Sequence, residues 1–200
     1  MLVSIIIPCY NNARYVEQTL RSALSQSYPQ VEVIVVDDGS TDKSVEKIRP
    51  FADRITFVRQ PNRGAPAARN HGLRIAKGSF IKFLDADDIL LPDTIERQVK
   101  QMKSIATQGK KIVYGPVQWI DQFNNPTNTY QPKPRKAGAC QVAHILGQSP
   151  LTSAPLHRKS RKHAPDTFLK IFSKQEQLIQ KHFNGILPAP VRELLARRYW

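Results

Sequence analysis

The sequence predicts an α/β fold, a mostly parallel sheet with helices on both faces. Short β-branched apolar runs recur about every 25 residues through position 110, and the stretches between them carry apolar residues at helical spacing. The runs are apolar throughout rather than alternating. Each strand must therefore be covered on both sides, which a parallel sheet between two helical layers achieves.

The first run, LVSIIIP at 2–8, reads as a buried strand closed by proline. After it, Asn11 or Asn12 can cap a helix with Val16, Leu20, Ala23 and Leu24 on one face, and Pro29 marks its end. VEVIVVDD at 31–38 is a second strand, ending in acids. GSTDKSVEKIRPFA turns and becomes a helix that Ser40, Thr41 or Asp42 can cap. ITFVRQ at 55–60 is the third strand, followed by a helix from Ala65 to Ala76 with Gly78 past its end. FIKFLDADD at 80–88 is a fourth strand running into acids. The helix after it has Pro92 in its first turn and Ile95, Val99 and Met102 on one face. KIVYGPVQWI at 111–120 is a fifth strand with a bend at Gly115–Pro116. From 121 to 165 the pattern dissolves into a polar, turn-rich loop or lid. Within it CQVAHILGQSP reads as a short helix, and LTSAPLH as a strand that Pro155 assigns to a sheet edge. Residues 166–184 form one more helix. The chain thus divides into a core over 1–120 and an extension over 121–200.

The 200 residues match one ordinary domain, and 40% hydrophobic with 23% charged content excludes a disordered chain. No run approaches a membrane span. No basic leader with a cleavage site precedes the first strand, so a secretory signal is not expected. Two cysteines, Cys9 and Cys140, cannot build a disulfide framework or a zinc site unaided and suit a reducing, cytoplasmic compartment. The net charge is +14, of which +9 falls in residues 116–200. Such a balance attracts polyanions: nucleic acid, anionic lipid or phosphorylated ligands.

Active groups in such sheets gather beyond the C-terminal strand ends. Two strands end there in acids, Asp37–Asp38 and Asp85, Asp87 and Asp88, and a third is followed by Asn62-Arg63-Gly64. In an extended segment, period two turns Asp85 and Asp87 the same way. Carboxylates facing one point repel unless a cation lies between them, and Mg²⁺ takes one or two carboxylates plus substrate phosphate. The alternative is surface acids in a turn before Pro92. An acid of the Asp37–Asp38 pair can hold a nucleotide hydroxyl, as in dinucleotide sites, or the pair simply makes an Asx-turn and a helix cap. GxGxxG and GxxxxGK[ST] are both absent, which disfavours a nicotinamide fold and excludes a P-loop. In NRGAPAARNHG at 62–72 a helix start can face phosphate, with Arg69 adding charge-assisted bonds, or Arg69 and His71 are solvated. The five His residues show no metal spacing, and Cys9 packs at a strand end.

VSIIIPCYN, VEVIVVDDGSTD, NRGAPAARNHGL, GSFIKFLDADD and SPLTSAPLHRK, in that order, resemble the successive motifs of the GT-A inverting glycosyltransferases of family 2. The match is specific over residues 3–88 and continues to about 159. The resemblance implies a GT-A sheet and a nucleoside-diphosphate sugar donor, a UDP-sugar before others. It implies that Asp38, with Asp37 beside it, contacts the uracil or ribose, that Pro8 and Tyr10 lie under the nucleotide, and that Arg69 lies near it. Asp85 and Asp87 match the metal–sugar motif of the catalytic centre, Asp87 being the direct ligand of Mn²⁺ or Mg²⁺. The implied reaction is a single displacement with inversion onto a hydroxyl of a saccharide or lipid-linked saccharide of the cell envelope.

Inversion needs a general base. The family places it in a Glu-Asp pair after Gly-Gly-Phe-Asp, and this chain carries neither; beyond His157 its acids are Asp166, Glu176 and Glu193. Two expectations compete: a donor-binding remnant with little or no turnover, or Asp121 or Asp166 acting as base in an altered layout. At the end of the chain Leu194, Leu195, Tyr199 and Trp200 with Arg192, Arg197 and Arg198 make a basic amphipathic stretch. It either docks on the domain or rests peripherally on anionic lipid at the inner face of the membrane. Nucleic-acid binding is suggested by charge alone: no RRM, KH, helix-turn-helix or zinc-finger pattern is present.

Overall fold

The computed structural model describes residues 1–104, 112–121, 125–130 and 155–159. β1 (Val3–Cys9), β2 (Val31–Asp37), β3 (Thr56–Arg59) and β4 (Phe80–Phe83) are parallel and lie in the order β3-β2-β1-β4. Helices α1 (Val16–Leu24), α2 (Ser44–Ile48) and α3 (Ala65–Ile75) connect them, and α4 (Thr94–Ser104) follows β4. β5 (Ile112–Tyr114) follows α4, and β6 (Val117–Ile120) pairs with β7 (Pro126–Tyr130) as a separate antiparallel hairpin. β8 (Pro155–Arg158) runs antiparallel between β4 and β5 in the main sheet.

Alternation along the strands feeds two apolar layers. Ile5, Ile7, Val33 and Val35 face Val16, Leu20 and Ala23 of α1, Ile48 of α2, and Ile95, Val99 and Met102 of α4. Ile6, Ile34, Val36, Ile81 and Phe83 face Ala68 and Leu73 of α3. Because α3 approaches β1 closely, a Cβ at Gly72 would sit 2.4 Å from Ile6 Cγ2, which explains glycine inside this helix. Helices therefore cover both faces, as the unbroken apolar runs require.

Several expectations are corrected. α1 begins at Val16 rather than at an Asn cap. Asn11 has φ 51, and its Oδ1 instead accepts the backbone N–H groups of Thr41 (2.9 Å) and Asp42 (3.3 Å). α2 stops after five residues and tightens into a 3₁₀ turn over Arg49–Arg54, where Pro50 lacks the N–H of a continuing helix. β4 ends at Phe83, and Asp85–Asp88 is a turn closed by Asp88 N–H on the Asp85 carbonyl at 3.0 Å. The acids thus do not continue an extended strand. The polar stretch after 121 contains β7, closed by Asp121, whose Oδ1 and Oδ2 accept the backbone and side-chain N–H groups of Asn125. Pro155 does not mark an edge. It opens a strand with a neighbour on each side, and the first position of a strand tolerates proline. The helices expected at 140–150 and 166–184, the basic tail, and Asp166, Glu176 and Glu193 lie outside the described residues. No described helix is long and apolar enough to cross a membrane.

Candidate active site

The strand order reverses at β1, since β2 lies on one side of it and β4 on the other. Loops after β1, β2, β3 and β4 emerge at that edge, the usual ligand crevice of such sheets. With strands about 4.8 Å apart, the acidic ends of β2 and β4 emerge about 10 Å from each other across β1. Topology therefore brings Asp38 and the Asp85–Asp88 turn to the same rim.

Asp37 and Asp38 are split by alternation. Asp37 lies on the side of the sheet that carries α1 and α2, is fully buried, and pairs with Arg59 Nε at 3.0 Å. Its oxygens also accept the Ser40 N–H at 3.3 Å, an Asx-turn that shapes the loop. Asp38 lies on the α3 side at 2% exposure. Its Oδ1 accepts Gln60 Nε2 at 2.7 Å and the Arg63 backbone N–H at 3.0 Å. Gly39, between the acids and Ser40, has φ +76, and a Cβ there would meet Asn62 N at 2.9 Å. Only glycine allows the β2 loop to lie against the β3 loop in this way.

The β1 loop is stapled to the β2 loop. The N–H groups of Asn11, Asn12 and Ala13 donate to Ser40 Oγ, Ser44 Oγ and Asp42 Oδ2 at 3.0, 2.8 and 3.0 Å. The Asp42 carboxyl is held below its ordinary range by bonds from Ser44 and Ala13, which outweigh the opposing effect of burial. Tyr10 stands exposed at the rim, whereas Pro8 is buried inside β1 opposite Val36. Cys9 is buried in the same place, and burial with Asp37 nearby pushes its thiol up to about 12. It is inert at ordinary pH.

On the β4 side, Arg69 from α3 reaches Asp85, Nη2 to Oδ1 at 2.7 Å, with side-chain exposures of 11% and 29%. Asp85 therefore lies on the α3 side, where Arg69 meets it. Ala86 packs on the other side, and its carbonyl accepts Thr19 Oγ1 at 2.8 Å. Asp87 is exposed at the corner of the turn and Asp88 half-buried. Among the described residues no group of three or more His, Cys, Asp or Glu is arranged to hold a metal ion. The hard oxygen donors of Asp85 and Asp87 nonetheless fit an ion that fills most of its shell with water and substrate phosphate.

Beneath the turn lies a feature hidden inside the apolar run FIKF. Lys82 is 1% exposed on β4, with Nζ 3.2 Å from Gln98 Oε1 of α4. Burial pushes its pKa down to about 7, against a smaller opposing effect of Asp88. His157 of β8, edge-on to Phe83 with ring centres 6.1 Å apart, is pushed down to about 4 by burial and by Lys82. Gln60 and His71 also join the site, with His71 Nδ1 2.8 Å from Gln60 Oε1. Their one sequence signal was position, Gln60 at the end of a strand-like run and His71 in the helix that follows it.

A family model described as Glycosyl transferase family 2 matches residues 4–165. An uncharacterized glycosyltransferase of Haemophilus influenzae is 46% identical over 105 residues, half of this chain and 42% of that protein. S. aureus TarS 1–349 in complex with UDP superposes with a TM-score of 0.63 at 20% identity, over 88% of this chain and 49% of that one, which establishes the fold. TarS 1–349 in complex with UDP-GlcNAc matches at 29% identity over 56% of this chain and 33% of that one, with a TM-score of 0.50. A mannosyltransferase of Pyrobaculum calidifontis in complex with GDP-Man and Mn²⁺ matches at 33% identity, TM-score 0.51, over 56% of this chain and 34% of that one. The chain thus spans less than half the length of the relatives it matches.

Proposed function

The chain belongs to glycosyl transferase family 2, whose model covers most of it, and from that premise we propose that it binds a nucleoside-diphosphate sugar and transfers the sugar to a hydroxyl acceptor. One observation carries this reading. Carboxylates from two separate segments, Asp38 after β2 and Asp85 with Asp87 after β4, share the rim at which the strand order reverses, and Arg69 stands at the β4 side of it. The structures of relatives with UDP-GlcNAc and with GDP-Man and Mn²⁺ support a donor of this class.

Asp38 takes the base or ribose, with Asp37 behind it holding the loop. Tyr10 and the β1 loop, reached through Pro8, lie under the nucleotide. Asp87 and Asp85 would hold Mn²⁺ or Mg²⁺, which when bound neutralises diphosphate charge. Arg69, fixed by Asp85, directs its guanidinium towards the oxygens that gain charge as the nucleoside diphosphate departs. The displacement is single: the acceptor oxygen bonds to the anomeric carbon on one face while the bond to the diphosphate breaks on the other, inverting the centre. The acceptor proton passes to a base that the described residues do not identify; the sequence offers Asp121, which accepts hydrogen bonds from Asn125, and Asp166, which lies outside the described residues. A cell-envelope acceptor, as the family resemblance implies, a cytoplasmic setting and peripheral membrane contact through the C-terminal stretch complete the proposal.

Calorimetry with UDP, GDP and Mn²⁺ tests the reading. The expected outcome is metal-dependent binding that Asp87→Asn weakens by about tenfold or more while the melting temperature stays put, because an exposed side chain contributes little to stability. Binding indifferent to metal and to Asp87 would sink it. A donor-hydrolysis assay then separates a turning-over enzyme from a donor-binding remnant.

A further inference from the structure

Resting on the donor-binding reading above, we propose that Gln60 and His71 are specificity-determining residues that act through Asp38 to select uracil over guanine and cytosine as the donor base. The geometry is a hydrogen-bonded line. Asp38 Oδ1 is engaged twice, by Gln60 Nε2 at 2.7 Å and by the Arg63 N–H at 3.0 Å. Oδ2 accepts no hydrogen bond among the described residues, and it is not among the partnerless atoms sealed from solvent. One oxygen of this carboxylate is therefore left to read a ligand.

The line also fixes the hydrogens of Gln60 and His71. A carboxylate only accepts, so Gln60 must turn its NH₂ group to Asp38. Its carbonyl oxygen then faces His71 Nδ1 at 2.8 Å, and a carbonyl also only accepts. Nδ1 of His71 therefore carries hydrogen. His71 sits on α3, a rigid element, and so anchors Gln60, which in turn fixes the Asp38 rotamer.

Uracil presents one donor, N3–H, on its pairing edge, and one acceptor oxygen satisfies it. Guanine presents two adjacent donors, N1–H and N2–H, which suit both oxygens of a carboxylate. With Oδ1 taken, one guanine donor goes unpaired or must displace Gln60. Cytosine brings the N3 lone pair against Oδ2, which repels it. Polar groups left unpaired in this way are what discriminate between related ligands.

The test is calorimetry on the full chain with Mn²⁺, using UDP, GDP and CDP, with inorganic pyrophosphate as a probe that lacks a base. The wild type should prefer UDP by about tenfold or more. Gln60→Met should weaken UDP by about tenfold and narrow the UDP-to-GDP ratio by a similar factor, and His71→Phe should do the same by about threefold. Pyrophosphate affinity should not change in either variant. Nitrogen NMR should place the His71 hydrogen on Nδ1. A UDP-to-GDP ratio equal in wild type and variants, an equal loss of pyrophosphate affinity, or a hydrogen on Nε2 instead would overturn the proposal and leave the donor reading standing. Failure of the wild type to bind any nucleoside diphosphate would overturn both. Should Gln60→Met not fold, His71→Phe, altered at a half-buried helix position, carries the comparison alone.

Discussion

Replacing Lys82 by Met should make the protein more stable at neutral pH, and by an amount that depends on pH. Burial brings the folded-state pKa from 10.5 to about 7, and each pKa unit corresponds to about 1.4 kcal/mol. Between those two values the unfolded chain holds a proton that the folded chain gives up. Stability therefore rises with pH across this window and is lost as pH falls towards 7. Keeping Lys82 in the sheet at pH 7 thus costs at most about 5 kcal/mol. Methionine fills the same space without the amine, but it forfeits the bond to Gln98, a loss of about 1 kcal/mol. The expected net gain is about 2–4 kcal/mol near pH 7, shrinking to nothing by about pH 10. Urea unfolding followed by circular dichroism over that range reads the difference directly. A variant less stable than the wild type throughout, or a difference that does not change with pH, would refute the reasoning.

Two other substitutions probe the frame of the site. Gly39→Ala forces a side chain into φ +76 and into the Asn62 backbone at 2.9 Å, so it should lose about 1–3 kcal/mol of stability. The same shift moves the segment that holds Asp38, so UDP affinity should fall too; a variant that melts and binds like the wild type would contradict the close approach of the two loops. His157, pushed from 6.5 to about 4 by burial and Lys82, stays neutral in the fold while the unfolded chain protonates. Stability should therefore decline as pH drops through that interval, by at most about 3 kcal/mol. His157→Leu should flatten that limb of an acid-unfolding curve, and an unchanged limb would assign the loss to other groups.

The strands of the parallel half were legible because they announce themselves locally: VSIIIPC, VEVIVVD and FIKF are β-branched or aromatic runs with turns beyond them. The acids were legible as a class for the same reason, standing where such runs end. Their division of labour was not. Asp37 and Asp38 are neighbours in the chain but belong to opposite faces, and which face meets α3 depends on where that helix packs. Asp85 and Asp87 read as an extended pair, yet the chain turns at Asp85 once Leu84 has bonded to Ile6. Lys82 passed as part of an apolar run, since nothing local shows that Gln98 of α4 will lie against its amine.

By itself the sequence determined the alternation of strand and helix, the two-sided burial of the sheet, and the presence of acids at two strand ends. These follow from side-chain periodicity over a few residues. Tertiary structure alone decided that β8 inserts between β4 and β5, that Arg69 meets Asp85, and that Asp38 is tied to His71 through Gln60. Each of those contacts joins residues well separated along the chain. Their meeting is set by how helices settle on a shared sheet, a property of the whole packed molecule that no local stretch encodes.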